Sequence, residues 1–595
     1  MAQELFERVD RQVGNLLADV LNGRIGLPDL QRPFVWADSK VRDLFDSMMK
    51  GFPVGYVMLW SSPADYVNTK NIGVGDKQFN RPDDLVIDGQ QRLTSLLAAI
   101  TGTKVLDKNF QERRIKISFD PVTMEFNVWT QAFERSYQVI ADIAEVFKAY
   151  DNMELGRFRR ELYARMNEGR KRNGLNELSE EEQDWIEDNI NSLLSLRKYT
   201  IPTLRILSKA DEEDVAEIFR RVNSGGQNLN ENNFIETLLA VYDNEIHDKI
   251  KKFCADSRVP AEGTSYNQII EVEPSHIIRV AIGYGFHRAR MRYGYKLLRG
   301  DNLETGETSV ETREQNIKLF GEALDRAINL TDWHAFINMF SEAGYLGKEM
   351  VRSNYVVVFS YVFYLIGKYE YKVPPMALRQ SLVRWIFMAT IRSFYSSSPE
   401  STVERQMADL RNIHSADEFI NYLDNAVKLE MNENYFSTQL VNDLTSSSAA
   451  SPVWFGYVAS VNVLGTPMLF SNTPQSRYWI VGTSGEKKSI DKHHIFPKHY
   501  LETIGIESDR DRNQLANFTY LDYGTNIAIS DDAPAQYIDK FKAQYSPDDY
   551  AKHLANNAIP DGFETMDYFD FLDKRRHLMA DIIKKAYNKL WNNHE

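Results

Sequence analysis

The sequence predicts a multidomain α+β protein: an α/β region at the N-terminus, an all-helical middle, and a small C-terminal domain that carries a candidate site. The chain has 595 residues, and about three to four domains are usual for that length. Strand-like and helix-like segments alternate over roughly the first 120 residues, whereas helical patterning dominates from roughly residue 240 to 445. Adjacent histidines enter an apolar, strand-like run after residue 490.

The N-terminal region is expected to alternate between helices and buried strands. The predicted elements are a helix ending at Leu21, a helix from about Lys40 to Lys50, strands over Val54–Trp60 and Asp84–Ile87, and a helix over Gln90–Ile100. The second strand, a tight turn and the helix follow each other directly. This order is a common anion-binding geometry, because the first N–H groups of a helix are free to bind a ligand.

The remaining chain is predicted to be mainly helical up to a polar linker. From about Ile140 to Leu207 the residues are charged and helical, and Ser179 with Glu182 forms a capping-box pattern. A helix over 211–222 ends before the glycines at 225 and 226. Residues 445–452 are small, polar and end in proline, as linkers often do. We therefore expect domains over residues 1–240, 241–445 and 446–595.

Bulk composition sets limits on the class of protein. A hydrophobic content of 43% with 26% charged residues is ordinary for a soluble protein. The single cysteine, Cys254, allows no intrachain disulfide, and the N-terminus lacks an apolar signal core. The uncharged run over 353–367 is shorter than the roughly 20 residues that cross a bilayer. We expect a cytoplasmic protein without a membrane span.

The formal net charge of −14 argues against a protein that coats nucleic acid nonspecifically, because phosphate binding depends on lysine and arginine. Local basic groups remain compatible with an enzyme that acts on DNA. Two basic clusters stand out, one around the paired histidines and one in the helical middle. They comprise Lys487, Lys488, Lys492 and Lys498, and the arginines from Arg288 to Arg299. Such clusters are usually solvated faces. The lysine cluster is equally compatible with phosphate contact, because it flanks the paired histidines.

The residues from Asp88 to Arg92 outline a phosphate site. They place a carboxylate at a strand end, Gly89 at the turn, and the amides Gln90 and Gln91 in the first helical turn with Arg92. A helix start offers free N–H groups and positive potential, and a guanidinium binds phosphate oxygens in a fork. The alternative is that Asp88 only caps the helix and Arg92 is a surface partner. A Walker-type P-loop is absent from the sequence.

Three ordered motifs resemble the DGQQR-motif domain, which has a ParB/sulfiredoxin-like fold. They are Gln31–Trp36, Asp88–Arg92 and Phe219–Leu229. This domain occurs in GmrSD-like modification-dependent restriction enzymes and in SspE-like phosphorothioate-sensing proteins. The resemblance implies binding and hydrolysis of a nucleoside triphosphate, GTP or ATP. It implies that Asp88 orients metal or water as a catalytic residue, that Gln90 and Gln91 contact the nucleotide and that Arg92 binds phosphate. The other residues expected to line the pocket are Gln31, Arg32, Gly89, Asn223, Gly225 and Gly226.

The C-terminal histidine pair, His493 and His494, has the composition of a one-metal phosphodiester-cutting site. One imidazole can hold a divalent cation while its neighbour accepts a proton from water, and a distant asparagine carbonyl can complete the coordination. A purely structural role for the pair is the alternative. A structural zinc site is disfavoured because Cys254 is far away in sequence.

The stretch His493–Pro497 resembles the HHIFP form of the HNH, or ββα-metal, endonuclease family. The resemblance implies that His493 is a metal ligand and His494 the general base. It further implies that Asn517 holds the ββα loop and Asn526 is the second protein ligand, with Mg²⁺ or Mn²⁺ as the metal. Asp491 is expected to be an additional ligand or an orienting group. The long separation between His494 and Asn526 predicts a bulging insertion, over about residues 502–513.

Both resemblances together predict a nucleotide-dependent DNA endonuclease of prokaryotic anti-phage defence. Nucleotide binding or hydrolysis in the N-terminal domain would control HNH cleavage of DNA, expected to be modified phage DNA. Whether the chain forms a homo-oligomer is left open. One alternative is a nucleotide-hydrolysing sensor whose HNH unit only docks DNA. Another is an RNA-directed nuclease, because one-metal HNH chemistry does not itself select the sugar.

Overall fold

The computed structural model describes residues 5–26, 36–61, 82–106, 112–210, 212–222, 235, 244–448, 450–479, 490–529 and 531–592. The chain divides into two compact units, residues 1–249 and residues 250–595. The first contains the larger sheet and the second is mainly helical. The predicted mixture of an N-terminal α/β region and a helical remainder is therefore confirmed. The ParB/sulfiredoxin-like and HNH assignments remain predictions.

The described part of the first unit combines short strands with helices. Its strands are β1 (Phe6–Arg8), β2 (Arg11–Gln12), β3 (Ile25–Gly26), β4 (Val57–Ser61), β5 (Asp84–Asp88), β6 (Val105–Leu106), β7 (Glu112–Arg113), β8 (Ile117–Asp120), β9 (Glu125–Val128), β10 (Thr200–Ile201) and β11 (Thr203–Ile206). Its helices are α1 (Val13–Leu21), α2 (Asp38–Met49), α3 (Gln90–Thr101), α4 (Gln131–Glu134), α5 (Ile143–Asp151), α6 (Leu155–Arg172), α7 (Glu180–Ser195) and α8 (Glu212–Val222).

A mixed five-stranded sheet with the order β1-β11-β4-β5-β3 forms the centre of this unit. Strand β4 pairs in parallel with β11 and antiparallel with β5. Both faces of β4 are buried: Val57 and Leu59 pack in the large core with α1, α2 and α3, whereas Met58 and Trp60 pack in a smaller cluster on the other face. Burial on both faces explains the uninterrupted apolar run of this strand.

The predicted helices and strands of this region are confirmed, with shifts of a few residues at their ends. The capping box is also confirmed, because Ser179 Oγ accepts from the Glu182 N–H at 3.1 Å and the Glu182 carboxylate accepts from the Ser179 N–H at 2.8 Å. Of the described strands of this unit, only β4 and β5 were predicted, and β1–β3 and β6–β11 were not. Strands β10 and β11 interrupt a charged, helix-like stretch. They form because β10 pairs with β2 and β11 pairs with β1 and β4, which are distant in sequence.

The second unit begins within α9 (Asn244–Asp256) and is built mainly from helices in its described part. The next helices are α10 (Pro274–Phe286), α11 (Met291–Arg299), α12 (Val310–Ala327), α13 (Leu330–Glu342), α14 (Asn354–Leu365), α15 (Pro375–Ile391), α16 (Pro399–Leu410), α17 (Ala416–Glu430), α18 (Leu440–Asp443) and α19 (Pro452–Leu464). The predicted core helix over 353–367 corresponds to α14, which is buried over most of its length. Among the described residues, no helix has the length and apolar character that a membrane crossing needs.

The described residues in the C-terminal part of this unit form one small sheet and further helices. They are β12 (Ile490–His494), α20 (Lys498–Thr503), α21 (Asp509–Arg512), β13 (Phe518–Asp522), α22 (Tyr523–Ile529), α23 (Pro534–Lys542), α24 (Pro547–Asn556) and α25 (Tyr568–Asn592). Helix α19 packs against both α15 and α25. In the predicted linker, the Ser446 carbonyl accepts a hydrogen bond from the Leu515 N–H at 2.9 Å. The expected boundary between residues 445 and 446 thus lies inside one compact unit, and the three-domain division remains a prediction.

Candidate functional site

The paired histidines lie at the end of β12, where they face in opposite directions. Strands β12 and β13 are antiparallel, with His493 opposite Thr519 and His494 opposite Phe518. Successive side chains of a strand point to opposite faces. Asp491 and His493 therefore share one face of this two-stranded sheet, and Lys492 and His494 share the other.

Asp491, His493 and Asn526 come together on one side of the small sheet. Helix α22 follows β13 without a loop, and the Asp522 carboxylate caps it by accepting from the Thr525 N–H at 3.0 Å. The Asn526 side-chain amide donates to the Asp491 carboxylate at 3.2 Å. The order of strand, strand and helix thus brings together three residues that are up to 35 positions apart in sequence.

His493 has the properties of a nitrogen ligand. Its side chain is buried, and Nε2 has no hydrogen-bond partner among the described residues. Burial lowers the pKa of His493 to about 4, an effect that the neighbouring Asn526 side chain opposes. The imidazole is therefore neutral at physiological pH, which is the form that binds a metal.

The side chains of Asp491, His493 and Asn526 are of the types that bind divalent cations. They offer an imidazole nitrogen, a carboxylate and an amide, and carboxylate and amide oxygens suit Mg²⁺ or Mn²⁺. Within the described ranges, no group of three or more His, Cys, Asp or Glu residues could hold a metal ion. A metal at this position would thus depend on the Asn526 amide as well as on Asp491 and His493.

His494 is oriented by a residue that sequence reasoning did not select. Its Nε2 lies 3.0 Å from Asn513 Oδ1, and its ring packs on Phe518 with the centroids 4.6 Å apart. An amide oxygen accepts hydrogen bonds only, so the neutral imidazole carries its proton on Nε2 and leaves Nδ1 as the basic nitrogen. Burial lowers the pKa of His494. No periodic pattern connects Asn513 to His494, and Asn513 appeared in the sequence only as the end of a predicted insertion.

Asn517 connects the two strands through a completely buried amide. Its Oδ1 accepts from the Phe496 N–H at 2.8 Å, while Nδ2 donates to the carbonyls of Phe496 at 3.0 Å and Arg512 at 3.1 Å. The segment after β12 is therefore fixed to the segment before β13.

A second residue outside the sequence prediction, Arg575 of α25, supports the same segment. Its guanidinium is completely buried and donates to the carbonyls of Ala516 and Phe518, both at 2.7 Å, and to that of Ala558 at 3.2 Å. The accepting residues Ala516 and Phe518 directly flank Asn517. The long C-terminal helix therefore holds the start of β13 in place.

The lysines near the histidine pair have different surroundings. The Lys492 ammonium is buried over the Phe518 ring, 3.6 Å from its centroid, and 5.2 Å from that of Trp454. Burial lowers the pKa of Lys492 to about 8. The Lys498 side chain is exposed, and Lys487 and Lys488 lie outside the described residues.

In the first unit, Asp88, Gly89 and Arg92 surround a strand-to-helix turn. Strand β5 ends at Asp88, Gly89 adopts a φ of 90°, and α3 begins at Gln90. The Asp88 carboxylate accepts from the Gly89 N–H at 2.7 Å, and the Arg92 guanidinium donates to the Tyr56 carbonyl. The predicted turn is therefore present. Five residues expected to line the same pocket lie outside the described residues, namely Gln31, Arg32, Asn223, Gly225 and Gly226.

Comparison with known proteins matches the first unit to a restriction-enzyme domain. Residues 13–240 match the family model of the GmrSD restriction endonuclease, N-terminal domain. Over 600 aligned residues, the chain is 23% identical to an uncharacterized protein from Methanocaldococcus jannaschii. That alignment covers 97% of this chain and 95% of the archaeal protein.

Proposed function

Because residues 13–240 match the family model of the GmrSD restriction endonuclease N-terminal domain, we propose that the chain is a DNA endonuclease of anti-phage defence. Nucleotide binding or hydrolysis near Asp88–Arg92 controls cleavage at the histidine pair of β12. The observation that carries this proposal is the cluster of Asp491, His493 and Asn526, next in sequence to the oriented imidazole of His494, in a chain whose first unit has this family match.

The cleavage chemistry assigns a separate task to each histidine. Nδ1 of His494 accepts a proton from a water molecule as the water oxygen attacks phosphorus in line, and the bridging P–O bond on the opposite side breaks. His493 and Asn526 would hold the divalent metal, with Asp491 as an additional ligand or orienting group. The bound metal would neutralise charge on the phosphate and on the leaving oxygen.

The nucleotide chemistry draws on the turn between β5 and α3. Helix α3 presents its first N–H groups and positive potential at the turn, and Arg92 supplies a fixed positive charge. Asp88 is suited to orient a metal ion or water, and Gln90 and Gln91 to contact the nucleotide. GTP and ATP are the candidate nucleotides.

The first experiment tests the general base. We expect His494→Ala to abolish nicking of plasmid or phage DNA by the full-length protein in Mg²⁺ or Mn²⁺, while nucleotide hydrolysis continues. His499→Ala is the matched control, because His499 lies just after the motif, in α20, with a largely exposed side chain. Undiminished nicking by His494→Ala would overturn the assignment, and cleavage of RNA but not duplex DNA would identify an RNA-directed nuclease.

The second experiment tests control by nucleotide. We expect the nicking rate of the wild-type protein to differ between reactions with GTP or ATP, with a non-hydrolysable analogue and without nucleotide. Arg92→Ala should remove that difference. Equal rates in all reactions would show that the two activities are independent. Restriction assays with phages of modified and unmodified genomes then identify the DNA target.

A further inference from the structure

The guanidinium of Arg92 lies against a glycine that no sequence motif selected. Gly55 precedes β4 and has a φ of +88°. A Cβ added to Gly55 would lie 2.8 Å from Nη2, 2.9 Å from Cζ and 3.2 Å from Nε of Arg92. Because the three distances are similar, the added Cβ would lie over the flat face of the guanidinium. The guanidinium therefore occupies the space that a side chain at position 55 would need.

One hydrogen bond fixes the rotation of this guanidinium. Nη1 of Arg92 donates to the carbonyl oxygen of Tyr56, the residue after Gly55. Nε and Nη2 together form the other edge of the guanidinium, and within the described ranges no carboxylate forms an ion pair with Arg92. An Nε–Nη2 edge has the spacing of two phosphate oxygens.

Gly89 brings the turn close to the same backbone. With a φ of +90°, it approaches so near that an added Cβ would lie 3.2 Å from the Tyr56 carbonyl oxygen and 3.2 Å from Val57 Cα. Gly89 and Arg92, three positions apart, therefore both contact the start of β4. Gly89 does so through the backbone of the turn, and Arg92 does so through its side chain. The backbone over 55–57 forms the support on which the turn rests.

We propose that Gly55 is a positioning residue for the nucleotide site: together with the Tyr56 carbonyl it holds the Arg92 guanidinium flat, so that the Nε–Nη2 edge binds the phosphates of a nucleoside triphosphate. This inference rests on the proposed nucleotide function and adds an element that the DGQQR motif does not contain. A side chain at position 55 displaces the guanidinium from the Tyr56 carbonyl and disorganises the phosphate-binding edge.

The test compares Gly55 with Gly51, two glycines that both have a positive φ. Gly51 has a φ of +70° and no atom within 4 Å of an added Cβ, so Gly51→Ala introduces backbone strain without touching Arg92. Dissociation constants for GTP and for ATP are measured with the full-length wild type, Gly55→Ala, Gly51→Ala and Arg92→Ala. We expect Gly55→Ala and Arg92→Ala each to weaken binding by about 10- to 100-fold, the effect of losing a charge-assisted hydrogen bond, and Gly51→Ala to bind as the wild type does.

The double variant Gly55→Ala/Arg92→Ala separates positioning from general damage to the fold. If Gly55 acts through Arg92, adding Gly55→Ala to Arg92→Ala causes no further loss of affinity. An equal further loss in the double variant would overturn the inference, as would wild-type affinity in Gly55→Ala. In both cases the nucleotide function stands. Absence of GTP and ATP binding by the wild type would instead overturn the nucleotide function and this inference with it.

Discussion

His493 and His494 are neighbours in sequence but have different surroundings. The Nε2 atom of His493 is buried and has no partner among the residues that the structure describes, whereas that of His494 is held by the side-chain oxygen of Asn513. The first arrangement leaves a nitrogen free for a ligand, and the second fixes which nitrogen can accept a proton. The difference between the roles proposed for the two histidines therefore depends on Asn513, which lies 19 positions from His494.

Removal of the Asn513 amide should reduce cleavage without removing the base. We expect Asn513→Ala to lower kcat for plasmid nicking by about 10- to 100-fold, because a ring that rotates or changes tautomer loses part of the general-base contribution. Single-turnover nicking at saturating DNA measures this rate. Glu507→Ala is the control, since Glu507 is exposed in the same insertion. An unchanged kcat in Asn513→Ala would contradict the positioning role.

A third histidine makes stability depend on pH. Nε2 of the buried His553 accepts from the Phe470 N–H at 2.7 Å, and burial lowers the pKa of this imidazole from its usual 6.5. Protonation is therefore easier in the unfolded chain. The stabilisation is fully present above about pH 6.5 and is lost as pH falls below that value towards the folded-state pKa.

We expect the unfolding temperature of His553→Gln to fall less than that of the wild type between about pH 7 and pH 5. The reason is that the variant has no imidazole at position 553 to take up a proton on unfolding. Thermal unfolding at several pH values measures this fall. His577→Gln, at an exposed histidine, is the control and should retain the wild-type slope. A wild-type slope in His553→Gln would show that other groups cause the acid sensitivity.

The junction between α13 and α19 joins parts of the second unit that lie far apart in sequence. The Gly344 carbonyl accepts from the Asn462 side-chain amide at 2.9 Å. A Cβ added to Gly344, which has a φ of +85°, would lie 2.1 Å from the Ala459 carbonyl oxygen. The two helices can approach this closely only because position 344 has no side chain.

Substitution at this contact should separate α13 from α19. We expect Gly344→Ala to lower the free energy of unfolding by about 3 kcal/mol, through steric overlap added to backbone strain. Gly306→Ala, at a φ of +75° with open space around it, should cost about 1 kcal/mol for the strain alone. Chemical denaturation of both variants measures the difference. Equal losses of unfolding free energy in the two variants would mean that the backbone at Ala459 shifts to accommodate the added methyl group without cost.

The two compact units divide the proposed activity into a nucleotide part and a cleavage part. Asp88–Arg92 lies in the unit of residues 1–249, and the histidine pair lies in the unit of residues 250–595. A ligand that binds only the folded state stabilises it by an amount that grows with ligand concentration. Ligand effects on unfolding therefore report on the first unit independently of cleavage.

We expect saturating GTP or ATP to raise the unfolding temperature of the wild-type protein, with about 2.7 kcal/mol of stabilisation at a concentration of about 100 times Kd. His494→Ala should show the same increase, because His494 lies outside the nucleotide site. Arg92→Ala should show little of it. Calorimetry with each nucleotide provides the measurement. An equal increase in the unfolding temperature of Arg92→Ala would show that Arg92 does not bind the nucleotide.

The sequence predicted those features that depend on neighbours along the chain. Alternating helices and strands, the capping box at Ser179 and the turn at Gly89 all follow from local patterns of burial, capping and backbone conformation. The strand containing His493 and His494 was anticipated in the same way. The strands β10 and β11 were missed because their formation depends on distant partners: β10 pairs with β2, and β11 pairs with β1 and β4.

The sequence by itself determined the types of element and the two chemical motifs, because periodicity, capping residues and glycine turns act over a few residues. Only the tertiary structure showed that Asn513 orients His494, that Arg575 supports β13 and that Gly55 receives the Arg92 guanidinium. Those contacts join residues 19 to 57 positions apart or depend on the packing of separate elements. No local pattern encodes them, because their geometry exists only after the chain has folded.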